Sequence, residues 1–146
     1  MPFALTLLAD AYGKAGQPEQ GMHQLSDAAS LVETTKERWA EAEMHRMRGM
    51  LLLSVNEDAA AEDSYCQAVA VAQRQSAKFW ELRAATSLAR LWRDQGKRAE
   101  ARYLLAPVYN WFTEDTMAAG GEAVAVRSSL PSTPLTELRY AEAPRR

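Results

Sequence analysis

The chain has a single cysteine, Cys66, and only two histidines, His23 and His45. One thiol excludes an internal disulfide framework and fits a reducing compartment. The histidines fall on different predicted helices without a metal-ligand constellation, and His45 occupies a packing position. No GxxxxGK[ST] is present, and Gly120-Gly121 follows no predicted strand, so a phosphate loop is excluded. No apolar run approaches the roughly 20 residues that span a bilayer. Met1 to Ala11 is apolar, but it lacks a basic leader and carries Asp10, so it does not read as a signal peptide. A formal net charge of −2 offers no basic footprint for nucleic acid. Glu41, Glu43, Glu62 and Asp63 form no pair suited to acid–base work and read as solvated helix faces. The expectation is a soluble cytoplasmic chain with no enzymatic activity and no cofactor.

The 146 residues suit one domain, and 47% apolar content is enough for a core. The stretch from Trp80 to Phe112 organises the rest. Leu82, Ala85, Leu88, Ala89, Leu91 and Trp92 recur at three- and four-residue spacing. Ala101, Leu104, Leu105, Val108 and Trp111-Phe112 repeat that pattern after a turn at Asp94-Gln95-Gly96-Lys97. Two antiparallel helices are predicted, with Gly96 at the left-handed stop of the first.

The unit recurs every 40 residues: 9 to 49 to 89, 21 to 61 to 101, and 28 to 68 to 108. These positions hold Ala9, Gly49, Ala89, then Gly21, Ala61, Ala101, then Ala28, Ala68, Val108. All but Val108 are small, which lets helix backbones approach closely. Tyr12, Leu52 and Trp92 form a consistently large series, as do Leu25, Tyr65 and Leu105. The turns fall at Gly16, Asn56 and Gly96, residues that tolerate the left-handed conformation. An all-α fold of three antiparallel helix pairs follows, with repeats over about 2–35, 38–75 and 78–113. Trp39 and Phe79, also 40 apart, are expected to wedge between repeats, and Pro107 to kink the last helix.

Leu5-x-x-Leu8-Ala9-x-x-Tyr12, followed by Gly21, Leu25 and Ala28, resembles the tetratricopeptide repeat. The period exceeds the roughly 34 residues of the standard repeat, and Glu33, Gln73 and Thr113 replace its closing proline. Residues 37–53 and 77–114 look like the C-terminal repeat array of large bacterial signalling proteins. Those proteins carry a class III adenylate/guanylate cyclase or LuxR-type DNA-binding domain and an NTPase domain. The resemblance implies a solenoid with a right-handed superhelix and a regulatory role in binding other proteins. Because no polar helix precedes the first repeat, the chain is also expected to be cut from a longer array.

In such arrays the first helix of each pair lines a groove. The resemblance places Glu43, Arg46 and Met50 there in the second repeat, and Arg83, Thr86, Arg90 and Arg93 in the third. Arg83, Arg90 and Arg93 share one helix face. That face reads either as a solvated surface or as a groove for an acidic peptide or partner domain. It is not the carboxylate clamp of chaperone-binding repeats, whose asparagines are missing. Nucleic-acid binding through this basic face is the alternative, with a slightly negative chain and no aromatic interleaving against it. The first helix is expected to expose Leu5, Leu8 and Tyr12 and to promote self-association. After Glu114 the Gly/Ser/Pro-rich composition predicts a disordered tail, residues 115–146, because Pro131 would interrupt a continued helix.

Overall fold

A computed structural model describes residues 1–118, with side-chain surroundings to Glu114; the expected disordered tail lies almost wholly outside them. The described chain is all-helical, with no strand. Its elements are α1 (Pro2–Lys14), α2 (Pro18–Thr35), α3 (Glu41–Ser54), α4 (Asp58–Arg74), α5 (Lys78–Asp94) and α6 (Arg98–Ala118). Prolines open α1 and α2, where no intrahelical partner is lost. Pro107 lies inside α6. None of the described helices is long and apolar enough to cross a membrane. Each odd-numbered helix packs on the even one that follows, and α2 meets α3 as α4 meets α5. In addition α1 touches α3, and α3 touches α5.

All nine positions of the small-residue series are buried. The tightest approach is at Gly49, where an added Cβ would stand 2.6 Å from the Tyr65 ring and 3.1 Å from the Ala61 carbonyl oxygen. The core is thus built from close crossings as much as from large side chains. Its largest cluster joins Tyr65, Ala68 and Val69 of α4 to Ala84, Leu88 and Leu91 of α5 and to Ala101, Leu104 and Val108 of α6.

Gly16, Asn56 and Gly96 adopt φ of 74°, 63° and 82°. Each turn closes with a backbone bond reaching back five residues, Gln17 to Tyr12, Glu57 to Leu52 and Lys97 to Trp92. A left-handed residue there satisfies the last carbonyls of the preceding helix. Lys36 and Ser76, also 40 apart, take φ of 61° and 53° at the junctions after α2 and α4.

Trp39 and Phe79 do not wedge between helices: they are 55% and 58% exposed. Trp80 takes the interior position, packed on Ala42, Val71 and Ala72. Trp39 sits in the junction before α3 and Phe79 on the outer side of α5, so both contribute to a surface row of rings. Phe3 lies 4.9 Å from Trp39 and 6.1 Å from Trp80, Trp39 lies 6.3 Å from Trp80, and Phe79 lies 5.0 Å from Trp80, between centroids. On α1 the large exposed apolar side chains are Leu7, 53%, and Leu8, 41%, while Leu5 and Tyr12 are half-buried.

Candidate partner-binding face

Six of the seven residues expected to line one groove divide between two places, and Met50 packs elsewhere, against an apolar cluster. Glu43 is buried, 4% exposed, and holds two arginines. Arg46 donates through Nε to Oε2 at 2.9 Å and through Nη2 to Oε1 at 2.6 Å. Arg83, one period on from Glu43, donates through Nη2 to Oε1 at 3.1 Å and through Nε to Oε2 at 3.4 Å. Arg46 also reaches Ser87 Oγ at 3.5 Å. Burial works against the charge on Arg46, but the Glu43 carboxylate outweighs it and lifts the guanidinium above its usual range. Bidentate pairing of this kind joins α3 to α5. Glu43 is therefore part of an internal clasp rather than a solvated face, and Arg83 is already engaged, with its guanidinium also 5.8 Å from the Phe79 ring.

Met50 is half-buried against the cluster of Ala9, Leu25, Met47 and Leu51. Thr86 donates its hydroxyl to the Leu82 carbonyl within α5. Thr86, Arg90 and Arg93 instead border an open groove of about 960 Å³ between α5 and α6. Its floor is Leu82, Ala89, Ala101, Leu105 and Tyr109, and its rim includes Arg98 and Arg102 from α6. Arg93 pairs with Asp94 at 3.0 Å on the surface. Arg90, Arg98 and Arg102 have no ion-pair partner among the described residues. Among the described residues no carboxylate lines the groove.

Sequence reasoning missed Arg98 and Arg102. Their four-residue spacing puts them on one side of α6, and the same positions one period earlier are the acidic Asp58 and Glu62. That reversal of charge between matched positions was the available signal. The two arginines beside Glu43 make a structural joint, while the four on α5 and α6 ring an apolar floor, a chemistry suited to a carboxylate-bearing apolar segment.

His45 is half-buried, and burial pulls its imidazole below the usual range, with Arg48 and Arg74 adding to this and Glu41 opposing it. Among the described residues no group of three His, Cys, Asp or Glu side chains is placed to hold a metal ion. Comparison with protein-family models, with curated proteins and with solved structures finds no match.

Proposed function

We propose that this chain is a protein-interaction module: a solenoid of three helix pairs, of tetratricopeptide type, whose last pair receives an acidic segment of a partner. The reading is carried by the groove between α5 and α6, where four arginines surround an apolar floor and three of them, Arg90, Arg98 and Arg102, have no carboxylate partner among the described residues. Guanidinium groups bind carboxylates bidentately, and Leu82, Leu105 and Tyr109 take up the apolar side of the same segment. The recurrence of left-handed turns and buried small residues at 40-residue steps supports the repeat character. The resemblance to arrays in bacterial cyclase and LuxR-type regulators supports a cytoplasmic, regulatory setting without catalysis.

The test uses a fluorescent amphipathic helical peptide with glutamates on one side and alanine and leucine on the other. The chain binds this peptide and not its lysine counterpart, and affinity falls as salt rises. Replacing Arg90 and Arg93 together with alanine weakens binding by roughly 1–3 kcal/mol while helix content is kept. Equal binding of both peptides, or an unchanged double variant, rejects the reading. Preference for a single-stranded oligonucleotide over the acidic peptide would favour nucleic acid instead.

A further inference from the structure

The first and last described helix pairs carry matching surfaces. Within the chain, α5 sits against α3 and α4. The side it turns toward them, by helical position, carries Ala84, Ser87, Leu88 and Leu91; Ala84, Leu88 and Leu91 are all buried. Two periods earlier, 84 to 4, 87 to 7, 88 to 8 and 91 to 11, α1 has Ala4, Leu7, Leu8 and Ala11, and all four are exposed. α1 therefore has the seating side of α5 with nothing described against it.

The receiving surface repeats as well. Tyr65 and Val69 of α4 are 3% and 0% exposed beneath α5. Their counterparts on α6, Leu105 and Tyr109, lie on the floor of the open groove, and Tyr109 is 65% exposed. Charge follows the same register. Glu43 and Arg83 hold one repeat position in successive odd-numbered helices and form an ion pair. The next matched position of this kind pairs Arg90, at the groove, with Asp10 of α1, which already binds Lys14 at 2.6 Å.

We infer that the occupant of the α5–α6 groove is α1 of a second copy of this chain, docked head to tail. Leu8 enters over Leu105 and Tyr109, and Asp10 faces Arg90. Such an interface uses different surfaces on the two copies, so it does not close at two and grows into short filaments. The inference rests on the groove being a docking site but not on the acidic partner, which it sets in competition with a second copy.

Sedimentation of the full chain across a wide concentration range reads the outcome. The wild type gives a mass that climbs past the dimer as concentration rises. Leu8→Glu disables the head and Tyr109→Glu the tail; both side chains are exposed, so the fold is kept, and each variant alone stays monomeric. Mixed in equal amounts, the two retain one compatible head and tail between them and form a dimer that grows no further. A strictly monomeric wild type, a closed dimer, a single variant that still polymerises, or a mixture that stays monomeric each overturns the inference. Peptide binding to the Leu8→Glu monomer, whose groove is intact, scores the acidic-partner reading separately.

Discussion

At the scale of residues, Glu43 was legible as a groove position and proved to be a joint. The clue lay in the repeat itself: opposite charges occupy matched positions, 43 and 83, and stacked helices bring matched positions together. Removing that carboxylate leaves two guanidinium groups, one of them largely buried, without their acceptor. Glu43→Gln is expected to lower stability by about 2–3 kcal/mol in urea unfolding, with α3 and α5 affected together. Gly49→Ala tests the close crossing, since its Cβ would stand 2.6 Å from the Tyr65 ring. Overpacking there costs about 1–3 kcal/mol, whereas Gly16→Ala suffers from its φ of 74° and not from lack of space. His45 gives a pH dependence of known sign. Its folded-state imidazole is held below the ordinary value of 6.5, so the unfolded chain binds the proton more readily. Stability is therefore full above about pH 6.5 and declines as pH falls below it, and His45→Gln flattens that part of the profile.

Among the elements, all six helices and their turns followed from apolar spacing and from the left-handed positions. The junctions were harder to read. Lys36 and Ser76 take positive φ although neither is glycine, and no composition signal marks them. Each carries the cost of a Cβ in a left-handed residue, about 1 kcal/mol. Ser76→Gly should therefore raise the denaturation midpoint, by about 0.5–1 kcal/mol of added stability, and Lys36→Gly should do likewise. A loss of stability on both changes would mean that unfolded-chain entropy outweighs relieved strain. The misplaced wedge has a related cause. Trp39 precedes the start of α3 at Glu41, so helical periodicity does not govern where its ring goes. Phe79 is inside α5 but one residue off the side that Trp80 occupies.

For the whole molecule, stability should grade along the chain. α5 is packed against α3, α4 and α6, while α1 packs chiefly on α2 and α3 and reaches α5 through the ring of Phe3. Amide exchange followed by mass spectrometry is expected to be slowest in α4 and α5 and fastest in α1, because local opening follows the density of buried contacts. Equal protection of α1 and α5 in dilute solution would show one cooperative unit instead. The repeat was legible because small residues and turns recur at a fixed step. The arginine rim was not, because half of it comes from α6, and only stacking shows which side of that helix faces α5.

The row of rings along the helix starts has an optical consequence. Trp39 and Trp80 lie 6.3 Å apart, a separation at which excitation passes between indoles far faster than either emits. Light absorbed by one is shared with the other, so a dissolved quencher that collides with the exposed Trp39 also darkens the half-buried Trp80. That shared emission survives only while the junction before α3 and the start of α5 stay side by side. The protein thus carries, without any label, a signal for the moment at which its successive helix pairs come apart.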